Sequence, residues 1–293
     1  ANGTKDEPII FTADEDNAKS GHWGGIIING KAPISGDKED KSNTALAEIN
    51  NKYPYGGNNA ADNSGVMTYV SICYAGARST QDIEHNGLTL NGVGNGTTIE
   101  NIYVLESADD AIEFFGGTVN VKNLLAVNPD DDMFDFTQGY CGTLSNCYGI
   151  WESDYTSTEA DPRGIEADGN LDGLYPTHLR QSDFRVENMT IVNNAADKAD
   201  NVDRMQDVIK IRRGAKAAIV NALVKGTGGS IDLIDMSDSK GAGNADSSVS
   251  ITNSLNLTGK KLNGTLNTFA EPAGNTGTDV SLFTWTGYNF SSL

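Results

Sequence analysis

The sequence of 293 residues has little cysteine, little proline and few histidines. Three cysteines (Cys73, Cys141 and Cys147) are too few for a disulfide framework. A disulfide between Cys141 and Cys147 is one alternative, but Cys147 occupies an apolar strand position that is typical of a small buried side chain. Three dispersed histidines do not indicate a histidine metal site. We expect no membrane span, because no segment reaches the roughly 18 consecutive apolar residues that a transmembrane helix requires.

Positive charge is also scarce. The chain has 21 Lys and Arg against 40 Asp and Glu, which gives a formal net charge of -19. Such a surface repels the phosphates of nucleic acids and of anionic lipids, so we expect no nucleic-acid partner. Glycine is frequent, with 33 residues, whereas proline is limited to 7. This composition favours a globular protein with many turns and little helix.

The sequence opens at ANGTKDEPIIFT, without a methionine and without a signal peptide. We interpret it as a mature or trimmed product whose export signal lay upstream. The expected location is therefore secreted or on the outer cell surface.

Two series of short motifs alternate strictly along the chain. The first places an asparagine within a short apolar strand, as in TIENIYV and NVKNLLA. Its members are Asn101, Asn123, Asn146, Asn188, Asn221 and Asn253. The second is a triplet with a polar residue between two apolar or small ones, as in IEF and FDF. Its members begin at Leu88, Ile112, Phe134, Ile165, Ile209 and Ile231.

The spacing of these motifs predicts the fold. Neighbouring members of either series lie at least 22 residues apart, so each repeat holds two short strands separated by turns. An all-β repeat of this length predicts a right-handed parallel β-helix whose coils stack at about 4.8 Å. We expect one domain over residues 1–293, a loop insertion over 35–64 with a helical turn around Thr44–Ile49, long protruding loops over 151–207 and a C-terminal capping segment over 264–293.

The asparagine series is interpreted as a structural ladder. In stacked coils, asparagines at equivalent positions hydrogen-bond from one coil to the next and satisfy polar groups that the coil buries. Tyr69 occupies the equivalent position upstream, within GVMTYVSICYAG. We therefore assign these asparagines no catalytic role.

Three segments together resemble a family of Bacteroidetes surface or secreted proteins with a pectate-lyase-like β-helix solenoid. They are HWGGIIINGKAPI, NGLTLNGVGNGTTIENIYV and DDAIEFFGGTVNVKNLLAVNPDDDMFDF, and the resemblance covers roughly residues 5–195 together with the closing FTWTGYNF. Family members often begin as lipoproteins or carry a C-terminal secretion domain, and most have no defined activity. The resemblance implies fold and an outer-membrane or secreted location, not a reaction. Members commonly have further β-strand sequence before EPIIFTA, which implies a shortened chain here.

The middle residues of the triplets predict an acidic column. Because neighbouring residues of a strand point to opposite faces, these residues should face solvent and stack on one side of the coil. The column comprises Thr89, Glu113, Asp135, Glu166, Lys210 and Asp232. Two residues later a second row follows, made of Phe115, Thr137, Asp168, Arg212 and Ile234. Carboxylates about 5 Å apart repel by roughly 3 kcal/mol at an effective dielectric near 20, so the column needs compensation.

Solvent, neighbouring cations or a bound metal ion are the possible sources of that compensation. One interpretation is a solvated charged face whose aspartates cap turns. Another is a Ca2+ site formed by Asp110, Asp132, Asp135 and Glu166, since ligands that are all oxygens suit Ca2+.

A catalytic interpretation also remains open. Polysaccharide lyases of this architecture use carboxylate-bound Ca2+ and a basic side chain, for which Asp135 with Glu166 and then Lys210 or Arg212 are the candidates. Glycoside hydrolases instead need paired acids, and these are available among Asp131, Asp132 and Asp135.

Aromatic residues in the predicted loops offer a surface for sugar rings. The candidates for stacking on a ligand are Tyr53, Tyr55, Trp151, Tyr155 and Tyr175, although folding down onto the coil is an equal alternative. Glu113, Asp135, Glu166 and Asp168 would supply the polar contacts. We predict a monomeric protein that binds a glycan or another surface component without catalysis. A Ca2+-dependent polysaccharide lyase or glycoside hydrolase is the second hypothesis, and a structural stalk or adhesin is the third.

Overall fold

Short strands dominate the structure, a computed structural model that describes residues 1–38, 42–78, 85–196 and 204–292. Residues 39–41 of the predicted insertion and 197–203 of the predicted long loops lie outside the described residues. The strands are β1 (Ile9–Phe11), β2 (Ile26–Asn29), β3 (Thr44–Leu46), β4 (Pro54–Gly56), β5 (Val66–Cys73), β6 (Leu88–Asn91), β7 (Thr98–Leu105), β8 (Ile112–Phe115), β9 (Val121–Val127), β10 (Phe134–Thr137), β11 (Thr143–Trp151), β12 (Ile165–Asp168), β13 (Asp183–Asn193), β14 (Met205–Arg212), β15 (Lys216–Lys225), β16 (Gly229–Asp235), β17 (Ser248–Asn253), β18 (Asn256–Leu257) and β19 (Thr268–Ala270). Short 3-10 helices span Leu171–Gly173, Val280–Thr286 and Phe290–Ser292.

Two parallel sheets run along the molecule. The first has the strand order β1-β5-β7-β9-β11-β13-β15-β17-β19, and the second has the order β18-β16-β14-β12-β10-β8-β6-β2. The chain passes from one sheet to the other with each new strand, apart from the β3–β4 pair, so one strand from each sheet makes one coil. Parallel crossovers are almost always right-handed. The predicted right-handed parallel β-helix is confirmed.

The interior of the coils is apolar, as the alternation in the triplets predicts. Ile112, Phe114, Phe134 and Phe136 are all fully buried. The rings of Phe114 and Phe136 stack with centroids 5.0 Å apart, and Phe184 continues the stack at 4.2 Å from Phe136. Burying each such side chain contributes about 1.5–3 kcal/mol. The residues between them must then point outwards, which places the acidic column on the outer face of the second sheet.

The asparagine ladder is confirmed over five coils. The Nδ2 of Asn123 donates to Oδ1 of Asn101 at 2.9 Å, and Asn146, Asn188 and Asn221 each donate in the same way to the preceding member. Each ladder residue has a positive φ, between 52 and 59°, a conformation that asparagine tolerates better than most residues. Tyr69 adopts it too, with φ 50°. The long strands of the first sheet therefore bend at this position.

The assignment of Asn253 to the ladder is wrong. The pairing of β15 with β17 shifts register between Ile219 and Ala222, which sets Asn253 opposite Val224. The ladder ends instead on the returning chain, where the backbone N–H of Thr276 donates to Oδ1 of Asn221 at 2.8 Å.

The insertion contains a β-hairpin, not the expected helical turn. Strands β3 and β4 pair antiparallel, with Ala45 opposite Tyr55. Ala45, Ala47 and Tyr55 form an apolar cluster with Ile34, and Phe115 of the second sheet packs against it. The Tyr55 hydroxyl also donates to the side chain of Gln138. These contacts hold the hairpin over the outer face of the second sheet.

The C-terminal segment does more than cap the last coil. Strand β19 pairs with β17 at that end, but the chain then runs back along the outside of the first sheet. The Thr278 hydroxyl donates to the carbonyl of Cys147 at 2.6 Å, and Trp285 lies 5.5 Å from the ring of Tyr69. Phe283 is fully buried beside Tyr148. The prediction of a simple cap over 264–293 is therefore corrected to a strand followed by a returning tail.

Two expectations from composition also have outcomes. Cys73, Cys141 and Cys147 are free thiols, so the alternative of a Cys141–Cys147 disulfide is wrong, and Cys147 is buried as predicted. Within the described residues, no helix is long and apolar enough to cross a bilayer.

Candidate acidic cleft

The predicted acidic column forms over five coils. Strand register places Glu113 beside Thr89 and Asp135, Asp135 beside Glu166, and Glu166 beside Lys210. In the second row, Asp168 lies beside Arg212 as predicted.

The register of β16 differs from the prediction. Ile234 pairs with Ile209 and Asp235 with Lys210, so Asp235 continues the column. Asp232 instead lies beside Asp207, and Ile234 is a buried core residue. Ile209 was expected to pair with Ile231, but its partner lies three residues further along the chain. The pairing of β14 with β16 extends beyond the two triplets, so the triplets alone do not fix the register.

The column does not face open solvent, which corrects a second expectation. Glu166 and Lys210 are buried, while Glu113 and Asp135 are only partly exposed. The β3–β4 hairpin covers part of this face, since Phe115 packs against its apolar cluster, while arginine side chains cover Glu166 and ion pairs engage Lys210. Between hairpin and sheet lies a cavity of about 340 Å³, which we call the acidic cleft. Its wall includes Thr89, Glu113, Phe115, Asp135, Glu166, Asp168 and Arg212 from the sheet, and Ala45, Leu46, Ala47, Glu48, Ile49 and Tyr55 from the insertion.

Burial makes the carboxyl groups of the column hold their protons more strongly. Burial, followed by repulsion from Asp135, raises the pKa of Glu113 well above its usual range. Burial and then Glu166 raise the pKa of Asp135 in the same direction. Asn86 donates to Oε2 of Glu113 at 2.5 Å and partly offsets the effect there. The cleft therefore favours protonated carboxyl groups or a cation that compensates their charge.

The basic candidates are already engaged. The Nε of Arg212 donates to Oδ1 of Asp168 at 2.7 Å, and its Nη2 binds Glu166. Burial lowers the pKa of Arg212, but Glu166 and Asp168 raise it by more, so the guanidinium stays charged. Lys210 forms an ion pair with Asp235, and Asp207 lies 3.7 Å from its Nζ.

The predicted metal ligands come together as two overlapping triads. Carboxylate oxygens of Asp132, Asp135 and Glu166 lie within 4.8 Å of one another, as do those of Asp110, Glu113 and Asp135. Asp132 is 2% exposed, and within the described chain its Oδ1 has no hydrogen-bond partner. Asp110 is already committed in part, since its Oδ1 accepts from the backbone N–H of Asp132 at 2.9 Å. Among the described residues Oδ1 of Asp135 also lacks a partner, and such a set of buried oxygen ligands fits the preferences of Ca2+.

Tyr55 lines the cleft, whereas the other aromatic candidates do not. Trp151 is 0% exposed and its Nε1 donates to the carbonyl of Pro129, so the prediction that it lies in a protruding loop is wrong. Tyr155 packs on Trp151 and donates to Asp130, and Tyr175 donates to the carbonyl of Asp37. These two tyrosines fold down onto the protein, as the alternative held.

Apart from Tyr55, the hairpin was missed as a part of the site, and so was Asn86. The segment TALAEINNKYPYGG does carry a hairpin signal, because apolar residues alternate on both sides of the polar NNK turn. Asn86 gives no comparable signal, since its role depends on the neighbouring coil.

An elongated parallel β-helix with a roofed acidic cleft on one sheet is the class of protein that the fold and the site define. The chain matches the pectate-lyase-like beta helix domain over residues 1–287, and it belongs to that family. A comparison with curated proteins found no match, and a comparison with solved structures found none either.

Proposed function

We propose that this protein binds a glycan in the acidic cleft without transforming it, as a secreted or cell-surface protein. The cleft supports the proposal because its volume of about 340 Å³ falls in the range of roughly 300–1,000 Å³ typical of small-molecule sites. Its wall combines carboxylate oxygens with the apolar side chains of Leu46 and Phe115. Oxygens accept hydrogen bonds from sugar hydroxyls, and apolar groups contact the C–H face of the ring.

Binding is favoured over the lyase hypothesis by the state of the two basic residues. A lyase base must lose its proton, but Glu166 and Asp168 keep Arg212 charged, and Lys210 is paired with Asp235. The hydrolase hypothesis keeps Asp131, Asp132 and Asp135 as its candidates, and an assay for newly released reducing ends tests it.

A substitution at the mouth of the cleft tests glycan binding. Leu46 is half exposed and lines the cleft, so Leu46→Arg should block entry and abolish binding to an array of oligosaccharides. Val220→Arg is the matched control, because Val220 is an exposed apolar residue on the first sheet. Binding that survives Leu46→Arg would place the ligand elsewhere. No binding to any glycan would favour the stalk or adhesin hypothesis.

Bound Ca2+ is a second candidate function for the same cluster, supported by the buried and unsatisfied Oδ1 of Asp132 in the described structure. Asp132, Asp135 and Glu166 would hold the ion, which would neutralise their mutual repulsion. Calorimetry with Ca2+ on chelator-treated protein should show binding that Asp132→Asn weakens and Glu100→Gln, on the other sheet, leaves unchanged. Absence of heat with the unmodified protein would remove the metal hypothesis.

A further inference from the structure

The wall of the acidic cleft carries a strong excess of one charge. In the described part of the chain, seven carboxyl side chains line it against one cationic side chain, Arg212. The carboxyl groups are those of Asp37, Glu48, Glu113, Asp135, Glu166, Asp168 and Asp172. The single cation is already paired with two of them, since Arg212 binds both Glu166 and Asp168. A carboxylate on a ligand would therefore be repelled by the acidic wall, and Arg212 is already paired with two acids of that wall.

Two acceptors in this cleft remain unsatisfied among the described residues. Oδ1 of Asp135 has no hydrogen-bond partner, and neither has Oδ1 of Asn86. Asn86 is 4% exposed, and its orientation is fixed because Nδ2 donates to Glu113 and to Thr89. Both residues line the cavity. Buried acceptors of this kind require a donor, and water or a ligand group must supply it.

The spacing of the acids fits one particular kind of donor. Oxygens of Asp110, Glu113 and Asp135 lie within 4.8 Å of one another, which lets three acceptors surround a single small cation. An ammonium group has three N–H donors and a full positive charge, whereas a sugar hydroxyl has one donor and no charge.

We propose that the acidic cleft selects a glycan that carries a free amino group, such as a glucosamine oligomer, over neutral and uronic-acid glycans. The ammonium group would lie between Glu113 and Asp135 and would neutralise the negative charge of their carboxylates. This inference rests on the proposed glycan-binding function and adds the chemical class of the ligand. It also predicts discrimination against polyuronates, because like charges brought together in a site oppose binding.

Calorimetry with the full chain tests the selection, using three oligomers of equal length in chelator. A glucosamine oligomer should bind at least about tenfold more tightly than its N-acetylated counterpart, and a galacturonate oligomer should not bind. Added salt should weaken the first interaction and leave the second nearly unchanged. Glu113→Gln and Asp135→Asn should each reduce the preference for the amine, while Glu100→Gln should preserve it.

Equal affinity for the amino and N-acetylated oligomers would overturn the amine selection and leave glycan binding standing. Binding of the galacturonate oligomer, with or without Ca2+, would also overturn it. If none of the three oligomers binds, and the wider oligosaccharide array gives no signal either, both the inference and the proposed function fail.

Discussion

The side chains of Glu113 and Asp135 lie side by side on adjacent coils, although 22 residues separate them in the chain. Burial raises the pKa of both carboxyl groups; the charge of Asp135 raises that of Glu113 further, and the charge of Glu166 raises that of Asp135. Their repulsion is a cost that the folded protein carries and the unfolded chain does not.

Removing one charge of the pair should stabilise the protein. We expect Glu113→Gln or Asp135→Asn to raise the free energy of unfolding by about 1–3 kcal/mol at pH 7.5 in chelator. The control Glu100→Gln loses a surface ion pair with Lys122 and should change stability by at most about 0.5–1 kcal/mol. Urea denaturation measures all three. Destabilisation by both amide variants would show that the repulsion is compensated in the apo protein.

Stability should rise as the pH falls from neutral towards 4. Burial, which outweighs the opposing effect of Lys210, raises the pKa of Asp207 from 3.8 to about 6. Between these values the folded state binds more protons than the unfolded state, so the contribution is present at low pH and is lost as the pH rises through about 6. The raised pKa values of Glu113 and Asp135 act with the same sign.

Thermal unfolding between pH 4.5 and 7.5 checks this trend. The melting temperature should be higher at the acidic end, and Asp207→Asn should flatten the dependence. A melting temperature that increases steadily with pH in chelator would contradict the sign.

Substitution of an asparagine in the middle of the ladder should destabilise the protein more than substitution of Asn253, which lies outside the ladder. Asn146→Ala removes hydrogen bonds to Asn123 and from Asn188 and puts alanine at a φ of 55°, so we expect a loss of about 2–4 kcal/mol. Asn253→Ala, outside the ladder, should cost less than about 1.5 kcal/mol. Asn146→Gly keeps the backbone conformation accessible and separates the two contributions. Equal losses at both positions would contradict the ladder as described.

The returning tail should depend on one buried ring. Phe283→Asp places a charge against Tyr148 and Ile150 and should release the segment from about residue 275 onwards to proteolysis. Val280→Asp, in the same 3-10 helix but partly exposed, is the control and should leave the tail protected. Mass spectrometry of limited digests distinguishes the two outcomes. A tail of Phe283→Asp that stays as resistant as the control would show that other contacts hold it.

The periodic part of this structure could be predicted because the same alternation of apolar and polar residues recurs in each coil. Ile112, Phe114, Phe134 and Phe136 alternate with polar residues, and that alternation alone fixes which side faces the core. The register of Asp232 could not be predicted, because it depends on how far β16 pairs with β14 and not on the triplet itself.

The roof of the cleft lay beyond the reach of periodicity for a similar reason. The alternation around Ala45 and Tyr55 predicts a hairpin at best, and only the contact of that hairpin with Phe115 and Gln138 shows what it covers. The cavity between the hairpin and the acidic column could be located only once this contact was known.

The returning tail also bears on how the chain matures during translation. Its anchor points near Tyr69, Tyr103 and Tyr148 are synthesised long before residues 275–292 leave the ribosome. A chain without residues 275–292 would therefore display an apolar flank with Tyr103, Leu125 and Tyr148, which this segment covers. Quality-control proteases and chaperones recognise such apolar surfaces, so docking of residues 275–292 hides a surface that they would otherwise bind.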